Sequence, residues 1–193
     1  MATDSRTAGY LLPTAESAHD DALDDLLHDV IMGLTGLTGD LVRPRWQPEP
    51  PQQPEFSVDW VAFGLSRTEE DTFGYEGQDP LGEGPTVVER DELLYYAHSF
   101  YGPHASGLCK RLRDGLQISQ NRDALLSAGI AVVEVKEAVK IPALLHQKWV
   151  PKVDVTVVYR RRSTTAYPVL TIKSATVDPT IETLGTIHVT VNP

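Results

Sequence analysis

With one cysteine, Cys109, in 193 residues, the chain has no partner for an internal disulfide, which excludes a disulfide scaffold. It has no apolar run near the roughly 20 residues that a helical membrane span needs, so no membrane partner is expected. Basic residues are scarce: 17 Lys and Arg stand against 27 Asp and Glu, for a net charge of −10. Domains that grip nucleic acid concentrate cations to replace phosphate counterions, so this balance argues against that role. It suits solubility, basic protein partners, or a surface that repels DNA. The opening Met1-Ala2-Thr3-Asp4-Ser5 has neither a basic n-region nor an apolar h-region, so no secretory signal is expected and the cytoplasm is the expected site of assembly.

Catalytic and metal motifs are equally sparse. No HExxH, CxxC or EF-hand spacing occurs in the sequence. The glycines of Leu81-Gly82-Glu83-Gly84-Pro85 are followed by no Lys-Ser/Thr, and Glu83 opposes anion binding, so they make no phosphate loop. Cys109 with His98 or His104 would need a base beside an electropositive thiol. Its place next to Leu108 in an amphipathic helix predicts a small buried hydrophobe instead. His19, Asp20, Asp24 and His28 on one helix offer too few ligands without a second cluster. No catalytic residue, metal ligand or cofactor is expected.

What the sequence does contain is one domain's worth of alternating elements, 41% hydrophobic overall. Residues 16–37 carry Leu23, Leu26, Leu27, Val30, Ile31 and Leu34 at the spacing of one helical face. Ser17 is the expected cap, and Gly36 and Gly39 are the expected stop. Asp20, Asp21, Asp24 and Asp25 favour the positive end of the macrodipole and leave an acidic outer face. Residues 1–15 read as an N-terminal tail. Repeated prolines make 43–56 an extended arm anchored by Trp46 and Phe56. A strand is predicted over 57–64, a long surface loop over 65–85, and an aromatic strand over 86–101. Helices follow at 104–116 and 119–128, with strands at 130–137 and from Val153. Arg160-Arg161-Arg162 and the residues to Ala166 read as the end of a long hairpin whose partner strand is 167–175, with a last strand over 184–191. The expected fold is α+β: an antiparallel-dominated sheet, about three helices mainly on one face, an extended arm and a long hairpin, in a single domain spanning 1–193.

Three consecutive arginines suggest phosphate binding, but strand alternation splits them between two faces and leaves no basic stripe. Like charge at a hairpin tip also guards against wrong pairing. An acidic first helix and a basic hairpin on one chain favour a third reading, head-to-tail contact between copies. Asp20, Asp21, Asp24, Asp25, Trp46, Arg160, Arg161 and Arg162 are therefore the candidate protein-interface residues.

The strings Asp59-Trp60-Val61-Ala62-Phe63-Gly64, Ser99-Phe100-Tyr101-Gly102, Leu112-Arg113-Asp114-Gly115-Leu116-Gln117-Ile118, Gln120-Asn121-Arg122, Trp149, Val153-Asp154-Val155-Thr156-Val157 and Tyr167-Pro168-Val169-Leu170, in this order and spacing, resemble the neck or tail terminator proteins of contractile-tailed bacteriophages. The likeness covers residues 20–178. It implies a structural virion protein forming a ring, usually of six copies, that caps the head-proximal end of the tail. The implied partners are further copies, the tail tube and tail sheath proteins, and the neck or connector proteins, with DNA passing through the lumen without specific binding. The alternatives are another neck or tail-completion component, such as a stopper, and a nucleic-acid-binding module using the arginines.

Overall fold

The computed structural model describes residues 4–49, 51–78, 84–145 and 147–170, together with short strands between 175 and 191. In chain order the elements are β1 (Ala15–Glu16), α1 (Asp21–Thr35), β2 (Val42–Pro44), β3 (Trp60–Glu70), β4 (Tyr75–Gly77), β5 (Thr86–Tyr101), α2 (Ala105–Gly115), α3 (Asp123–Ser127), β6 (Ile130–Val135), β7 (Val139–Lys140), β8 (Ala143–Leu145), β9 (Lys148–Val150) and β10 (Lys152–Tyr167). Beyond them, β11 (Ala175–Val177) pairs with β14 (Val189–Val191), and β12 (Thr180–Ile181) with β13 (Gly185–Thr186). This is an α+β fold with, among the described residues, three α-helices and a mostly antiparallel sheet.

The chain divides into two units: Ala18–Phe73 with Arg90–Ser163, and Met1–Ser17 with Gly74–Glu89 and Thr164–Pro193. The larger unit holds the core. Its sheet runs in the order β10-β5-β3-β2, with β6 and β7 on the outer side of β10. Strand β5 is antiparallel to β3, and among the described strands only the short β2 runs parallel to its neighbour. Helix α1 turns Leu23, Leu27, Val30 and Ile31 inward and packs on α2, α3 and β2. Against it stand alternate strand residues such as Val61, Phe63, Phe100, Val155 and Val157, all buried, as a half-buried sheet requires. Burying each such side chain contributes about 1.5–3 kcal/mol.

Several expectations change. Helix α1 begins at Asp21 rather than 16: Asp20 is the N-cap, Ser17 caps nothing there, and Gly36 ends the helix in the left-handed conformation. Residues 65–70 are not loop, because β3 continues to Glu70 opposite β5. Polar outward positions hide a strand whose inward neighbours pair normally. Ser66 is an extra residue in that register, and its hydroxyl donates to the Tyr95 carbonyl at 2.7 Å. Residues 75–77 form β4, and 79–83 lie outside the described residues.

The largest correction concerns the arginines. No turn occurs at 160–166; β10 runs unbroken from Lys152 to Tyr167. Between Asp154 and Pro168 the sequence offers no Gly, Pro, Asn or Asp, so the chain lacks the residues that make turns cheap. Of the expected partner strand 167–175, Pro168–Leu170 is irregular and 171–174 lies outside the described residues, as does part of the strand expected over 184–191.

The smaller unit pairs β1 with the end of β10, and β4 with the start of β5. Among its described residues only Thr86 is buried, and no hydrophobic side chain is.

Candidate functional site

Strand alternation sends the three arginines to opposite faces, and β5 supplies a carboxylate to each. Arg161 faces inward and its Nε donates to Glu92 Oε2 at 2.7 Å, with the two side chains only 6% and 5% exposed. Its Nη1 donates to the Ala18 carbonyl, and Nη2 to His19 Nδ1 at 3.1 Å. Because guanidinium nitrogens only donate, His19 presents Nδ1 as an acceptor and carries its proton on Nε2. Arg160 and Arg162 face outward and share Asp91, at 3.0 and 3.2 Å. The two guanidiniums, Arg162 first, hold the Asp91 carboxyl below the usual carboxylate range. All three arginines thus have carboxylate partners in their own chain, which leaves no bare basic stripe for phosphate.

The acidic helix is divided in the same way. Asp24 is half-buried and accepts the Tyr96 hydroxyl at 2.9 Å, tying α1 to β5. Burial raises its pKa against the hydrogen bond that lowers it, and neighbouring Asp21, Asp25 and Asp20 add to the rise. Asp20, Asp21 and Asp25 are exposed. The structure therefore brings Asp24 into the body of the fold and leaves its three companions on the surface.

The Pro-rich arm starts as β2 and then leaves the sheet at Trp46, whose φ is +58° and whose side chain remains 69% exposed. The ring lies over Gly64, where a Cβ would sit 2.8 Å from Trp46 Cζ3, and 6.0 Å from the Arg45 guanidinium. Arg45 donates to the Ser99 hydroxyl, which donates in turn to Asp154. Asp154 also receives Lys152 at 2.8 Å. Beside this relay Trp60 and Tyr101 stack at 4.2 Å, with Arg43 over one ring and Lys152 over the other, each at 5.7 Å. Phe56, 51% exposed, carries Lys148 at 4.0 Å from its ring. No sequence signal gave Asp91, Glu92, Ser99 or Asp154 these roles, since single residues on strands reveal nothing of cross-strand register.

Cys109 is buried on α2, and burial pushes its thiol up, the reverse of nucleophile activation. His104 instead donates from Nδ1 to Asp59 at 2.8 Å, and His98 from Nδ1 to the Tyr96 carbonyl at 3.0 Å. Burial lowers the His98 pKa to about 4. His28 Nε2 donates to the Gly39 carbonyl at 3.1 Å. Among the described residues no group of three or more His, Cys, Asp or Glu could hold a metal, and no helix is long and apolar enough to cross a membrane.

Intrachain ion pairs join β10 to β5, while aromatic side chains such as Trp46 and Phe56 remain exposed. Among curated proteins no significant match is found. A family model described as phage neck terminator protein matches residues 21–186, from the first residue of α1 to the end of β13, and the chain belongs to that structural family.

Proposed function

We propose that the chain forms a closed homomeric ring, of six copies, that caps the head-proximal end of the tail tube and joins it to the neck connector. The observation that carries this reading is the family match over residues 21–186. The structure is in keeping with it: ion pairs join β10 to β5, and the exposed side chains are of kinds that make protein interfaces. DNA crosses the lumen without specific contacts, in keeping with a net charge of −10 and with arginines already paired to Asp91 and Glu92. In a contractile tail the same ring would also meet the end of the sheath. The protein assembles in the host cytoplasm and remains in the virion, and no catalytic step is assigned to it.

The test is the mass of necks or tails that carry the protein, together with electron micrographs of particles lacking it. Six copies per particle, and tails of uncontrolled length or unjoined to heads in the absence of the protein, are expected. A copy number that cannot close a ring overturns the reading.

A further inference from the structure

The smaller unit poses a physical problem. Its described residues form ribbons from β1, β4 and the ends of β5 and β10, yet among those described residues no hydrophobic side chain is buried. Short ribbons without an apolar face covered on one side are marginal in water. Meanwhile Tyr10 is 98% exposed, and Leu12, Tyr75 and Leu170 are also exposed. The unit is strongly acidic as well, with eight Asp and Glu against two Lys and Arg. An acidic ribbon whose described apolar side chains are not buried suits a surface that is both cationic and apolar.

Along the Pro-rich arm, which also carries Glu49 and Glu55, the larger unit holds cations over aromatic rings. Arg43, Arg45 and Lys148 make no ion pair with any described carboxylate; they rest instead on the rings of Trp60, Trp46 and Phe56. Two of those rings, Trp46 and Phe56, are largely open to solvent. Cations over exposed aromatic rings are the side-chain types that dominate interface energies.

We infer that the ribbon unit of one copy docks on the aromatic–cationic surface of a second copy, Tyr10, Leu12 and Tyr75 covering Trp46 and Phe56 while carboxylates such as Glu16 and Glu76 meet Arg45 and Lys148. The occupant is a second copy because the two surfaces on one chain complement each other in both charge and apolarity. A patch that meets a different patch on the next copy makes a head-to-tail contact, which closes into a ring when the rotation allows. This rests on the ring proposed above and assigns the contact that builds it.

The experiment mixes equal amounts of nitrogen-14 and nitrogen-15 full-length protein. A zero-length carbodiimide reagent then joins Lys148 to any carboxylate it touches. The reaction is run on concentrated free protein and on tails reassembled with the mixture. Mass spectrometry should find mixed-isotope cross-links from Lys148 to Glu16, Glu76 or their neighbours in the ribbon unit, abolished in K148Q. With cross-links absent, E16K/E76K and R45E/K148E should each reduce assembly at least tenfold, and the two mixed together should recover it. Rings with Lys148 linked to exposed carboxylates of α1 such as Asp21 or Asp25, or to another neck or tail protein, would overturn this contact and leave the ring standing. Mixed-isotope links absent under both conditions, with a copy number of one per particle, would remove both.

Discussion

Arg161 and Glu92 meet at 2.7 Å with both side chains almost wholly inaccessible, on adjacent strands of the same sheet. A second pair of residues on these strands, Ser99 and Asp154, is also in contact. As numbering rises along β5 it falls along β10, so the two strands run antiparallel. The ion pair therefore locks register at one end of a long strand pair, and the Ser99 contact locks it farther along.

Breaking this pair from one side should be costly, because the surviving charge stays buried. R161A or E92A is expected to lose about 3–5 kcal/mol of unfolding free energy in urea titration. Replacing both, as R161M/E92L, should recover most of that loss. Outward Arg160 and Arg162 lie beside solvent, so R160S/R162S should leave the urea midpoint nearly unchanged. A double mutant no more stable than either single one would show that the pair is not an isolated unit.

This division between Arg161 and its neighbours shows what the sequence could and could not reveal. Alternation along a strand was legible, and it separated the three arginines between faces as expected. The strand's continuation past them was not, because a run of like charge mimics a loop until its carboxylates are known. Asp91 and Glu92 lie some 70 residues away, and pairing at that separation leaves no local trace. Helix α1 and the aromatic strand β5 were legible because periodicity and β-branched composition are local properties. The charged end of β3 was not, since Glu69 and Glu70 look like loop in composition and become strand only opposite β5. The exposure of Trp46 was legible for the opposite reason: a large ring between prolines has little interior to enter.

His98 makes the fold sensitive to acid. Its ring is fully buried, Nε2 has no hydrogen-bond partner within normal distance among the described residues, and the folded pKa is about 4 against about 6.5 in the unfolded chain. Between these values the unfolded state binds the proton and the folded state does not, so stability falls as pH drops from 6.5 towards 4. The full loss is about 3 kcal/mol. Urea midpoints measured across this range should show the slope in the native protein, and H98L should remove that part of it whatever its own stability. An unchanged slope in H98L would assign the acid sensitivity to other groups.

Cys109 should behave as a packing group. With the thiol buried and its pKa raised, reaction with a thiol-specific disulfide reagent should proceed only as fast as the protein opens. It should accelerate to the rate of a free thiol in denaturant. C109S is expected to cost about 1–3 kcal/mol if its hydroxyl finds no partner, and to support assembly of infectious particles. Rapid reaction of the folded protein would contradict this placement of the side chain.

At Trp46 monomer stability and assembly can be tested separately. Its backbone has φ +58°, a conformation that costs a bulky residue about 1–3 kcal/mol and glycine almost nothing. Its ring covers Gly64 yet leaves most of its own surface outside. W46G therefore relieves backbone strain while removing a large exposed ring, so the isolated protein should unfold at the same temperature or higher. W46A keeps the strain and should be slightly less stable. If the ring anchors a contact between copies, both variants should assemble at least 30-fold more weakly, the equivalent of about 2 kcal/mol for an interface hot spot. G64A tests the seat from below: its new Cβ would crowd Cζ3, tilt the ring, and weaken assembly with the side chain still present. Measurement needs only thermal unfolding of the free protein and the concentration at which each variant fills reassembled tails. Native assembly by W46G would show that the ring contributes nothing to the contact, and loss of folding in W46G would show that it belongs to the core instead.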